Sequence, residues 1–104
     1  MDRMEQLQQM LKENAKDSFL RHALAMELQK TGEDKRAIQT LQDLLADDPA
    51  YVGSYYQLGK LLEKTGDSQT AIQWYEKGME QAKAAGENRA YNELQSALEE
   101  LIYE

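Results

Sequence analysis

The chain has 104 residues, of which 41% are hydrophobic and 30% charged, with a net charge of −7 and no cysteine. That length allows one domain, and the apolar fraction suffices for a packed core rather than a disordered chain. The acidic balance opposes binding to nucleic-acid phosphates or anionic membranes, and the missing thiols exclude disulfides, thiol catalysis and thiolate metal sites.

The opening run MDRMEQLQQMLKEN lacks the apolar core of a signal peptide. No stretch approaches the roughly 20 apolar residues that span a bilayer. The expectation is therefore a soluble, cytoplasmic protein.

The first predicted helix covers residues 2–13, with Met4, Leu7, Met10 and Leu11 as its apolar stripe. The chain breaks at 14–17, where Asp17 or Ser18 is a cap for the next helix. That second helix spans 18–30, with Phe19, Ala23, Leu24 and Leu28 as its core positions. Thr31-Gly32-Glu33 makes a turn, and a third helix over 34–46 buries Ala37, Ile38, Leu41, Leu44 and Leu45. Pro49 pushes Asp48 out of helical angles and ends it. Pro49 also suits the first position of a fourth helix over 50–65, with Asp48 as its cap.

In that fourth helix Leu58, Leu61 and Leu62 share one side. Gly66 supplies the left-handed residue that ends it, and Asp67 caps a fifth helix over 68–85 with the stripe Ala71, Ile72, Tyr75 and Met79. Gly86 is a stop, and a sixth helix over 88–102 carries Leu94, Leu98, Leu101 and Ile102 on one face.

A shift of about 34 residues aligns Leu24 with Leu58, Leu28 with Leu62, Gly32 with Gly66 and Ala37-Ile38 with Ala71-Ile72. Leu41 then meets Tyr75, and Leu44 meets Gly78. A helix–turn–helix unit at this period, with Y-x-x-L-G-x-x-L-x-x-x-G-D-x-x-x-A-I-x-x-Y over 55–75, resembles the tetratricopeptide repeat family. Pro49 stands where that family often has its closing proline. The chain departs at Arg21, where an aromatic is usual, at Leu44, where a small residue is usual, and at Lys83, which replaces a second proline. The run 90–95 resembles the opening of a third repeat displaced by two residues.

The resemblance implies an all-α fold, a right-handed superhelical stack of antiparallel helix hairpins with about six helices. The expected organisation is one domain over 1–104. Residues 2–17 form an N-terminal half-repeat, 18–51 and 52–85 two full repeats, and 86–104 a C-terminal capping helix.

The residues offer no catalytic set. His22 is the single histidine, and without cysteine it cannot complete a usual zinc site. Glu27 lies off its helical face, and no nucleophile or oxyanion site accompanies it. The pairs Glu33-Asp34, Asp47-Asp48 and Glu99-Glu100 are adjacent in helices, so their side chains diverge by about 100°, and caps or solvated faces explain them. The glycines are dispersed and form no phosphate-cradling loop. No catalytic, metal or cofactor residue is expected, and no cofactor.

In the family, the first helix of each hairpin lines a concave face. The matching positions here are His22, Met26 and Gln29, then Tyr56, Gln57, Lys60 and Lys64, then Arg89, Asn92 and Ser96. They combine an apolar patch with donors and cations, suited to an extended or helical peptide with an acidic end. Against this stands the reading of tolerated surface residues. One subclass clamps a partner's C-terminal carboxylate with lysine and asparagine. His22, Met26 and Gln57 stand at those positions, so a chaperone-tail adaptor is disfavoured. The expectation is a non-catalytic adaptor with a protein or peptide partner. The alternative is a self-associating scaffold, a homo-oligomer through terminal helices such as the end of helix six at Ile102 and Tyr103.

Overall fold

Short side chains and glycines punctuate the chain where the spacing predicts it to turn. The computed structural model describes residues 1–103 and contains six helices: α1 (Arg3–Glu13), α2 (Ser18–Lys30), α3 (Asp34–Asp47), α4 (Gly53–Lys64), α5 (Ser68–Ala85) and α6 (Asn88–Ile102). Among the described residues there is no strand, as the all-α expectation requires. Glu104, the last residue of the expected capping helix, lies outside the described residues.

Asp2, Asp17 and Asp67 each cap a helix by accepting from the backbone N–H of Glu5, Leu20 and Thr70, which satisfies donors a helix start leaves orphaned. Gly32, Gly66 and Gly86 sit at φ of 83°, 90° and 72°, a region other residues enter at a cost.

The chain divides into two compact units, Met1–Asp48 and Pro49–Glu104. In the first, α2 packs on both α1 and α3. Leu20, Ala25 and Leu28 are its buried residues, with Leu7 of α1 and Ala37, Leu41, Leu44 and Leu45 of α3. Several expectations fail here: Met10 is 46% exposed, and Ala23 and Ile38 are only half-buried. Phe19 is 66% exposed, because the buried stripe of α2 starts one residue later at Leu20 and leaves Phe19 on the outside of the first turn. Leu24 is only half-buried, with Ala25 inside instead.

The end of α3 is tied to the start of α2. The Asp47 carboxylate accepts from Lys16 Nζ at 2.9 Å and Arg21 Nη1 at 2.8 Å, and Asp48 accepts from Ser18 Oγ at 2.6 Å. Arg21 therefore keeps its place on α2 by running its stem inward and its guanidinium out to Asp47; its side chain is only 12% exposed. The hydrogen bonds from Lys16 and Arg21 hold the Asp47 carboxyl below the usual carboxylate range. The expected cap role of Asp48 for a helix starting at Pro49 is thus overturned. Its carboxylate is committed to Ser18, and residues 49–52 form a turn before α4 begins at Gly53.

In the second unit α5 packs on both α4 and α6. Two glycines set how closely. A Cβ on Gly59 of α4 would overlap the Tyr75 ring from α5. A Cβ on Gly78 of α5 would lie 2.6 Å from Tyr55 Cβ on α4 and 2.9 Å from Leu94 Cδ1 on α6. Both rings are buried. The Tyr55 hydroxyl donates to the Pro49 carbonyl at 2.6 Å, and the Tyr75 hydroxyl donates to Glu63. Leu94 and Ala97 are the buried residues of α6, while Ile102, on the same apolar stripe by spacing, is 49% exposed at the end of the helix.

Replacing Gly59 by alanine forces the Tyr75 ring away from α4 and lowers stability by about 1–3 kcal/mol, the usual cost of overpacking, measurable by urea denaturation. A second outcome concerns acid. Because the folded carboxyl of Asp47 is depressed, its contribution is complete above the unfolded value and is lost as the pH falls below 3.8. Asp47→Asn therefore flattens the loss of stability across that window, read from denaturation midpoints at stepped pH.

Candidate interaction groove

In the second unit α4 and α6 run side by side in the same direction, with their N-terminal residues Gly53 and Asn88 bordering one depression of about 420 Å³. Further along, Tyr56 and Lys60 of α4 face Arg89, Asn92, Glu93, Ser96 and Glu100 of α6 across an open groove of about 620 Å³ floored by Ala97. Helical spacing produces both walls. Residues 56 and 60 are one turn apart, and 89, 93, 96 and 100 recur on one face of α6.

The groove is electrically mixed. Lys60 Nζ stands 5.6 Å from the centre of the Tyr56 ring, near enough for a cation–π attraction. It also lies 3.8 Å from the Glu63 carboxylate, which accepts the Tyr75 hydroxyl. Arg89 and Glu93 approach to 3.9 Å, but the arginine side chain is 96% exposed, so this pair holds it only weakly. Glu100 supplies a second carboxylate to the α6 wall. Burial, and then the hydrogen bond to Glu63, pushes the Tyr75 phenol far up, so that it remains a neutral donor.

Of the residues expected on a binding face, Tyr56, Lys60, Arg89, Asn92 and Ser96 meet around this groove, and Gln57 borders the neighbouring depression. Lys64, exposed at the end of α4, lines neither. His22, Met26 and Gln29 lie partly buried on α2 in the other unit, where burial lowers the imidazole below its ordinary value. The sequence reading missed Glu93 and Glu100. Their signal was present: each stands one turn after an expected residue, Arg89 or Ser96.

The groove is open to solvent, and its walls mix the Tyr56 ring with amide, hydroxyl and charged side chains. Among the described residues no cluster of three or more histidine, aspartate or glutamate side chains is placed to hold a metal ion. No helix among them is long and apolar enough to cross a membrane.

Comparison with known proteins gives one consistent answer. Two family models described as tetratricopeptide repeat match residues 17–51 and 40–73. A tetratricopeptide repeat-containing protein of Pseudomonas aeruginosa is 31% identical over 98 residues, 94% of this chain and 93% of that protein. The crystal structure of a tetratricopeptide repeat domain protein from Salinibacter ruber is 40% identical, with a TM-score of 0.77, over 82% of this chain and 94% of that one. A Bordetella parapertussis protein solved in solution is 29% identical, with a TM-score of 0.83, over 99% of this chain and 90% of that one. The fold these proteins share generally serves as a protein–protein interaction module. On the strength of these matches and the hairpins described above, the chain belongs to the tetratricopeptide repeat family.

Proposed function

We propose that this chain is a non-catalytic adaptor that seats a peptide or protein segment in the groove between α4 and α6. The observation that carries the reading is the meeting of Tyr56, Lys60, Arg89, Asn92 and Ser96 around one open groove. A half-buried tyrosine is a low-entropy anchor for a partner, and the asparagine and serine supply hydrogen bonds. Both walls stand on packed helices, so the surface is ordered before the partner arrives.

Cations and carboxylates share the groove. The segment it fits therefore carries both signs: an acidic group for Lys60 and Arg89 and a basic one for Glu93 and Glu100. This refines the acidic peptide expected from the cations Lys60, Lys64 and Arg89. His22, Met26 and Gln29 are the corresponding positions one repeat earlier, and Gln57 and Lys64 extend the set on α4. The proposal includes the repeat organisation of residues 18–51 and 52–85 with flanking half-units. It also includes a cytoplasmic location and the absence of nucleic-acid or membrane partners, which the net charge of −7 favours. A second reading, self-association through the terminal helices, is supported by exposed Ile102 and Tyr103 at the end of α6.

Tyr56→Ala and Lys60→Glu test the groove. Both side chains line the open surface, so melting temperatures stay close to the parent value. Partners captured by the parent chain from native lysate are depleted with either variant. Recovery of the same partners in equal yield with both variants removes the groove from consideration.

A further inference from the structure

Two helices, α1 and α6, keep apolar residues that no other helix of the described residues covers. In the second unit α5 covers Tyr55 and Leu62 of α4, leaving them 2% and 4% exposed. The corresponding residues of α6, by the two-residue displacement, are Tyr91 and Leu98. Both are only half-buried, and with Met79 of α5 they line a shallow groove of about 290 Å³ rimmed by Glu76 and Glu80. So α6 takes the place of a first helix of a hairpin, and its apolar stripe stands open along this groove.

The opposite case is α1. It packs on α2 as α5 packs on α6, and Leu7 repeats the buried places of Leu41 and Tyr75. Met10 falls in the place of Leu44 and Gly78, which are buried against the first helix of their own hairpins. No described helix covers Met10, which is 46% exposed. So α1 takes the place of a second helix of a hairpin, with the face that would meet a first helix exposed at Met10.

The geometry points to α1 of a second copy as the occupant of the α5–α6 groove, pairing with α6 as α5 pairs with α4. This rests on the self-association reading above and names its two faces. Gly78 packs against Tyr55, so Met10 of the incoming copy packs against Tyr91, with Leu98 further along the same stripe. Charge is compatible with the choice: the groove carries Glu76, Glu80 and Lys83, and the last turn of α1 carries Lys12 and Glu13, so each side offers both signs to the other. The contact joins two different faces, so each copy keeps one face of each kind open. It is also weak. Gln95 stands where Gly59 admits the Tyr75 ring, which keeps the joined helices further apart than α4 and α5.

Sedimentation equilibrium of the whole chain tests it. The weight-average mass is expected to rise above the monomer mass of 11.9 kDa as the concentration increases. The span from ~10 μM to ~1 mM covers weak association of this kind. Met10→Asp spoils the α1 face and Leu98→Asp the α6 face, with Tyr91→Lys in reserve should Leu98→Asp lose its helical circular dichroism. Each variant alone is monomeric throughout. Their equimolar mixture forms a 1:1 dimer, because one intact face of each kind remains between them. A parent chain that stays monomeric overturns both this junction and self-association. A parent that associates while Met10→Asp still does so, or while the mixture stays monomeric, overturns the junction alone.

Discussion

Two tyrosines resting on two glycines hold the α4–α5 hairpin together. Tyr75 of α5 lies on Gly59 of α4, and Tyr55 of α4 lies on Gly78 of α5, so each ring meets bare backbone on the opposing helix. A buried tyrosine removes about 200 Å² from water, which at ~25 cal/mol per Å² corresponds to about 5 kcal/mol as an upper bound. The ion pairs of the same unit, Lys60 with Glu63 and Arg89 with Glu93, are 3.8 and 3.9 Å long and partly or fully solvated. Pairs of that kind contribute about 0–1 kcal/mol. Ring burial therefore decides the hairpin, and the charges on its surface remain available for other contacts.

The first unit solves the same packing problem with different residues. Leu41 and Ala25 occupy the places of Tyr75 and Gly59, and Leu44 and Arg21 those of Gly78 and Tyr55. Each unit thus pairs positions whose sizes compensate, aromatic with glycine in one and aliphatic with aliphatic or arginine stem in the other. The polar tip at this place also changes partner. Tyr55 donates to a carbonyl in the turn before its own helix, whereas Arg21 reaches the Asp47 carboxylate at the end of α3. A core-type position can hold arginine because its charge leaves the packed region and meets an acidic residue there.

The helix limits were legible because local chemistry dictates them. Asp17 and Asp67 cap helices, and Gly32, Gly66 and Gly86 adopt left-handed angles whatever surrounds them. Errors arose where a distant residue outbid a local signal. Asp48 reads as a cap for a helix at Pro49, but Ser18, far away in the chain, takes its carboxylate. Phe19 reads as core by its apolarity, yet the buried stripe is set by which side of α2 meets its neighbours. At the groove, the positions carried over from the family resemblance marked its cations and amides. The carboxylates Glu93 and Glu100 were hidden because acidic residues are so common in this chain that one more on a helix carries little information by itself.

Core and groove are joined through one carboxylate. Glu63 accepts the buried hydroxyl of Tyr75 on its inner side and lies beside Lys60 on its outer side, while Lys60 stands over Tyr56. Burial holds the phenol neutral, so it serves as a donor to Glu63. Glu63, held by that hydrogen bond, in turn restrains a lysine that would otherwise sample many rotamers. The ring that closes the hairpin thereby helps to place a cation on the open face. The packing that makes α4 and α5 a stable pair and the order of the groove wall share one physical cause.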